Sequence, residues 1–190
     1  MRITFPTVLT LSRIVLIPFL VQTLINESWR LATGMFVFAA ITDMLDGYLA
    51  RRWKQESDFG ACLDPVADKL LIIACYATLF FSPISELPLP GWFLLVVLIK
   101  EMALLIGAFY FGLLKGLVRI RPSLFGKATM VVQSCLVIWL LLCSIFDWAP
   151  MKTFHVFLAV AIFFVLGSLM QYAYQALSAF LHQDDEGALW

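Results

Sequence analysis

The chain has 190 residues, 62% of them hydrophobic, and a mean hydropathy of +0.93. A water-soluble domain of this length cannot hide so much apolar surface, so the bilayer is its expected solvent. Thirteen basic and thirteen acidic residues cancel; nucleic acid is not an expected partner, and the information lies in where charges interrupt apolar stretches.

Windows of roughly 20 apolar residues, the length needed to cross a bilayer as helix, place six spans near 9–26, 31–53, 60–82, 91–114, 124–146 and 151–180. The expected fold is all-α, a single polytopic membrane domain over 1–190 with six transmembrane helices. Residues 1–8 (MRITFPTV), containing Pro6, are expected to form a short interfacial segment. The start has the look of a signal peptide, but no small-residue cleavage site follows, so the first span is expected to be retained. Asn26-Glu27-Ser28 ends the first span, and Pro83, Pro88 and Pro90 end the third. Lys115-Gly116, Arg119, Arg121 and Pro122 separate the fourth from the fifth, and Trp148-Ala149-Pro150 the last two. Cys62, Cys75, Cys135 and Cys143 lack CxxC spacing and read as small buried apolar residues rather than disulfides or zinc ligands.

Lysine and arginine asymmetry sets the expected orientation. Arg2, then Arg51, Arg52 and Lys54, then Lys115, Arg119 and Arg121 fall on one side of a six-span layout; the other side has Arg30 and Lys152. Both termini and the connections after spans two and four are therefore expected on the cytoplasmic face. Trp29, Trp53, Trp92 and Trp148 stand near span ends, as interfacial anchors do.

Asp43 and Asp46 lie toward the end of the second span, Asp64 and Asp68 near the start of the third. Residues three or four apart share a helical face, so each helix presents two carboxylates together. An ionised Asp costs about 2.5–3.5 kcal/mol at a helix centre, and four repel one another. Two divalent cations would balance the four negative charges. Hard oxygen ligands without His or Cys favour Mg2+, Mn2+ or Ca2+, and paired metals are a recurring device in phosphoryl transfer. Solvated loop carboxylates would explain one such pair but explain two, at helical spacing on consecutive spans, less well.

The run Asp43-x-x-Asp46-Gly47-x-x-Ala50-Arg51, then eight residues, then Gly60-x-x-x-Asp64-x-x-x-Asp68 resembles the signature of the CDP-alcohol phosphotransferase family, with eight fixed residues in a 26-residue window. Pro6–Arg13 (PTVLTLSR), the length and the six-span layout are similar to bacterial members that make phosphatidylglycerol phosphate. The resemblance implies that Asp43, Asp46 and Asp64 chiefly ligate two metal ions, Mg2+ or Mn2+. Asp68 is implied to be both a metal neighbour and the base that takes the acceptor's proton. It also implies that Asp43, Gly47, Ala50, Arg51 and Gly60 bind the CDP group. Gly47 and Gly60 leave room for nucleotide against helix backbone, although helix–helix packing explains such glycines equally well. Arg51 has the planar fork that suits diphosphate oxygens. The implied donor is CDP-diacylglycerol, held among membrane lipids, and relatives of this kind are commonly homodimers.

The acceptor alcohol is read from the second half. Glycerol-3-phosphate needs a cationic pocket, for which Lys127, Arg119, Arg121 and Lys100 are the candidates. Lys127 has a competing reading as a snorkelling lysine, and Lys100 as the partner of Glu101 in an ion pair that orients the bundle. Bacterial phosphatidylglycerophosphate-forming members usually have Arg-Glu where this chain has Lys100-Glu101. The segment IRPSLFGKATMVVQ (120–133) is similar to cardiolipin-forming members, which take phosphatidylglycerol. Glycerol-3-phosphate is the favoured acceptor, phosphatidylglycerol the alternative. A small cation transporter would account for the acids but not for Gly47, Ala50 and Arg51, and a non-catalytic subunit would need no metal site.

Overall fold

The computed structural model describes the backbone of residues 5–53, 58–81, 87–115 and 124–187, and the side chains of 10–42, 66–81, 87–107 and 125–175. Six helices follow in chain order: α1 (Phe5–Ile25), α2 (Trp29–Trp53), α3 (Asp58–Phe81), α4 (Gly91–Lys115), α5 (Leu124–Ile145) and α6 (Met151–Gly187). No strand occurs among the described residues. The helices coincide with the expected apolar segments with shifted ends. Residues 5–8, expected in a separate interfacial segment, continue into α1 because Pro6 sits in its first turn, where a missing N–H costs no helical bond. At the other end, α6 runs on through the acidic residues to Gly187.

Two short turns are closed by residues in the left-handed conformation. Glu27 has φ 56° and Asp147 φ 46°. After α1, the Glu27 N–H bonds the Leu24 carbonyl at 3.1 Å and the Ser28 N–H reaches back to Thr23 at 3.0 Å, occupying carbonyls that the helix end leaves open. After α5, the Trp148 N–H does the same to Cys143 at 3.0 Å.

Phe125–Ile145 and Met151–Gln175 are long and apolar enough to cross a membrane; Thr10–Ile25 and Trp29–Thr42 are shorter apolar stretches among the described residues. Large apolar side chains such as Phe19, Phe81, Ile106, Val131, Phe163 and Met170 are exposed, the outer surface of a membrane-associated protein. Cys135, expected inside, is exposed on that surface, whereas Cys75 and Cys143 are buried as expected.

Helix α1 lies against both α2 and α3; α5 joins α6, α2 and α3, and α4 packs on α3 and α6. The interior has two distinct halves. One consists of the late part of α1 (Leu20, Leu24), early α2 (Ala32, Phe36, Ala39), late α3 (Cys75, Tyr76, Leu79), early α4 (Phe93, Val97), late α5 (Leu136, Leu140, Leu141) and early α6 (Phe154, Leu158, Ala161). Ring contacts lock it: Tyr76 meets Phe93 edge-on at 5.3 Å, and Trp139 stacks on Phe157 at 5.1 Å. Its buried hydroxyls, Thr78 and Ser144, bond back to carbonyls of their own helices at 2.7 and 3.1 Å. The other half holds buried polar groups: Thr10 and Arg13 of α1, Lys100 and Glu101 of α4, Thr129 and Gln133 of α5, and Ser168 of α6.

Candidate active site

The polar half of the interior is a chain of contacts that crosses the bundle. Arg13 of α1, 2% exposed, donates from Nη1 to Oδ1 of Asp68 on α3. The next residue, Lys69, brings its Nζ to 3.8 Å from Oε2 of Glu101 on α4. Lys100 Nζ donates to Glu101 Oε1 and, at 3.3 Å, to Gln133 Oε1 on α5. Tyr76 of α3 donates its hydroxyl to the Gln133 carbonyl at 2.9 Å. Thr129 then shares its hydroxyl proton between the Phe125 carbonyl at 2.6 Å and the Phe164 carbonyl of α6 at 3.0 Å. Ionisable groups in an apolar interior are costly unless paired. Here three cations and two carboxylates alternate across α1, α3 and α4.

The four expected aspartates divide between the two helices as their spacing requires. Asp43 and Asp46 stand in the second half of α2; Asp64 and Asp68 stand one turn apart in α3. The side chain of Asp68 is described, and its location is the polar half of the interior. The side chains of Asp43, Asp46 and Asp64 lie outside the described residues, as do those of Gly47, Ala50 and Arg51 on α2 and Gly60 on α3. Arg119 and Arg121 lie outside them altogether.

The two remaining cationic candidates differ sharply. Lys127, in the first turn of α5, is exposed. Lys100 is 1% exposed and its ammonium is committed to Glu101 and Gln133. Of its two sequence readings, the ion pair with Glu101 is the one present in the structure; that pair lies within α4, and the hydrogen bond from Lys100 to Gln133 is what reaches α5. Three groups that matter here escaped the sequence reading: Arg13, Lys69 and Gln133. A signal existed for each, since an arginine, a lysine and a glutamine inside apolar helix are all expensive in hydrocarbon and turn inward. Gln133 keeps its Nε2 without a hydrogen-bond partner among the described residues, as does Ser168 its hydroxyl. These two buried groups extend the polar interior from the Asp68 neighbourhood toward α6.

Of the four expected carboxylate donors the structure describes the side chain of Asp68, and the described buried thiols, Cys75 and Cys143, belong to the apolar half of the interior; a set made of carboxylates alone would suit a hard divalent ion.

Comparison with known proteins identifies the family. The sequence profile of the family described as CDP-alcohol phosphatidyltransferase matches residues 3–181. A CDP-diacylglycerol–glycerol-3-phosphate 3-phosphatidyltransferase of Pectobacterium atrosepticum is 53% identical over 75 residues, 38% of this chain and 41% of that protein. The chloroplastic/mitochondrial enzyme of that name from Arabidopsis thaliana is 52% identical over 100 residues, 50% of this chain and 33% of its own length. A cardiolipin synthase (CMP-forming) of Homo sapiens is 32% identical over a longer stretch, 162 residues, 77% of this chain and 52% of that protein. The chain thus spans about half, or less, of the length of these curated relatives. With the profile match covering nearly its whole length, the chain belongs to the CDP-alcohol phosphatidyltransferase family.

Proposed function

We propose that this chain transfers a phosphatidyl group from CDP-diacylglycerol to glycerol-3-phosphate and releases CMP, a step of phosphatidylglycerol synthesis. The observation that carries the reading is the pairing of carboxylates on the end of α2 and the start of α3, with Asp68 held in a polar interior beside otherwise apolar helix. Family membership supports the donor, and the two phosphatidyltransferases at 52–53% identity support the acceptor.

In this reading all six helices span the inner membrane, with both termini and the polar half of the interior toward the cytoplasm, where CMP and glycerol-3-phosphate are soluble. Residues 1–190 act as one domain. Asp43, Asp46, Asp64 and Asp68 would hold two Mg2+ or Mn2+ ions, which when bound would polarise the diphosphate and stabilise charge on the departing CMP. Asp43, Gly47, Ala50, Arg51 and Gly60 hold the CDP group, with the Arg51 fork on its phosphates. Asp68 takes the proton of the acceptor hydroxyl. The hydroxyl oxygen bonds to the lipid-bearing phosphorus as the bond from that phosphorus to the bridging oxygen breaks. Lys127, with Arg119 and Arg121, receives the acceptor phosphate, while Lys100 holds α4 and α5 together around that end. Two copies of the chain are expected to associate.

A second acceptor has its own support. The match to the human cardiolipin synthase extends over 77% of the chain, further than either phosphatidyltransferase match. Purified protein given CDP-diacylglycerol and Mg2+ or Mn2+, with glycerol-3-phosphate or phosphatidylglycerol, decides between them. Release of CMP with glycerol-3-phosphate is the expected result. Turnover of phosphatidylglycerol alone would move the chain to the cardiolipin-forming branch, and no CMP with either would sink the reading.

A further inference from the structure

The Arg13–Asp68 contact has a direction. The arginine side chain is 1% exposed and the carboxylate 17%, so the cation forms a closed back and the carboxylate keeps an accessible side. An arginine on a bilayer helix is expensive unless it is paired. Arg13 is compensated inside the bundle, across 55 positions of sequence, by the one described aspartate of the proposed site. Buried this deeply, Arg13 is not placed to meet a soluble phosphate itself. Its planar guanidinium fixes the direction of its donors, which an ammonium on a flexible stem does not. On the other flank, Lys69 is drawn to Glu101 at 3.8 Å. The turn of α3 that carries Asp68 is therefore tied to α1 on one side and to α4 on the other.

We propose that Arg13 is a positioning residue for the transfer reaction, setting the orientation of the Asp68 carboxylate toward the acceptor hydroxyl. The inference rests on the function proposed above. Displacing a reacting group by about 1 Å can cost 10²-fold in rate, so losing the anchor should appear in kcat and leave substrate binding alone.

The test uses the full chain in detergent with Mn2+, following CMP release at varied CDP-diacylglycerol and glycerol-3-phosphate for wild type, Arg13→Gln and Arg13→Lys, with a thermal melt of each. Arg13→Gln should lower kcat by roughly 10²-fold with KM for both substrates unchanged, and Arg13→Lys should recover part of the loss. A folded Arg13→Gln protein with wild-type kcat, or with its loss confined to KM, overturns the assignment. Should Arg13→Gln fail to fold, Arg13→Lys decides: reduced kcat at unchanged KM supports positioning, whereas wild-type kcat, or failure to fold as well, overturns it. Wild-type protein that releases no CMP would instead overturn the transferase function on which the inference stands.

Discussion

Glu101 is the hinge of the buried charge chain, and replacing it with leucine tests whether that chain holds the bundle together. The side chain is fully buried; it accepts from Lys100 through Oε1, and Oε2 lies 3.8 Å from the Lys69 ammonium. Glu101→Leu leaves two ammonium groups without their carboxylate. Removing one partner of a buried pair costs about 3–5 kcal/mol. Lys69, at 12% exposure, can turn partly outward, but Lys100, at 1%, cannot, so the lower part of that range is expected, about 3 kcal/mol. For a chain of this size each kcal/mol moves Tm by roughly 2–4 °C, which puts the loss at about 6–12 °C. The assay is a thermal melt in detergent followed by fluorescence or loss of the monodisperse peak. The double variant Lys100→Met with Glu101→Leu removes both charges of the tighter pair. It should recover more than half of the loss, because a buried pair replaced by apolar residues is often close to neutral. An unchanged Tm for Glu101→Leu, or a double variant no better than the single, would refute the reasoning.

Three further outcomes follow from the proposed site and from the turns. Chelation with EDTA should abolish CMP release and added Mg2+ or Mn2+ restore it, whereas activity that survives chelation argues against carboxylate-held metal. Lys127→Ala should raise KM for glycerol-3-phosphate about tenfold, the loss of one charge-assisted contact of about 1.4 kcal/mol, with kcat and KM for CDP-diacylglycerol unchanged; equal effects on both substrates would remove Lys127 from the acceptor pocket. Glu27→Gly relieves a left-handed conformation that costs an L-residue about 1–2 kcal/mol, against about 0.5–1 kcal/mol for the added chain freedom of glycine. A Tm gain of a few degrees is expected, and a fall would show that the Glu27 side chain has a stabilising role.

The helices were legible because breakers and apolar runs mark them plainly: Asn26-Glu27-Ser28 and Trp148-Ala149-Pro150 fall at the observed turns. The helical setting of the aspartate pairs was legible, since their spacing of three and four presumes continuous helix and both pairs fall within it. Which residue meets which was another matter. Arg13 and Asp68 are 55 positions apart, Lys100 and Gln133 33 apart, and their meeting depends on how each helix is rotated about its axis. Apolar periodicity reports that rotation in a soluble bundle, but lipid is as apolar as a protein core, so the signal fades. Cys135 shows the consequence: small and apolar, it read as buried and is exposed on the outside. Polar residues keep their information in such a chain. Gln133 or Arg13, costly in hydrocarbon, marks the inward face of its helix where a leucine cannot.

The division of the interior into halves also has an electrical meaning. A chamber that admits nucleotide and ions needs water, and a watery path through the whole bundle would short-circuit the cell's membrane potential, worth about 2.3 kcal/mol per elementary charge for every 100 mV. If the helices span the membrane as proposed, the packed side chains of Leu24, Phe36, Tyr76, Phe93, Leu141 and Leu158 would form an insulating layer behind the charged one. On the proposed orientation, the potential falls across that dry half, and the wet half stays close to the cytoplasmic value. Phosphate-bearing substrates could then enter and leave without working against the field. Placing a charge in the insulating layer, with Val97→Asp for example, would be expected to cost stability and to open a leak before it touched the chemistry.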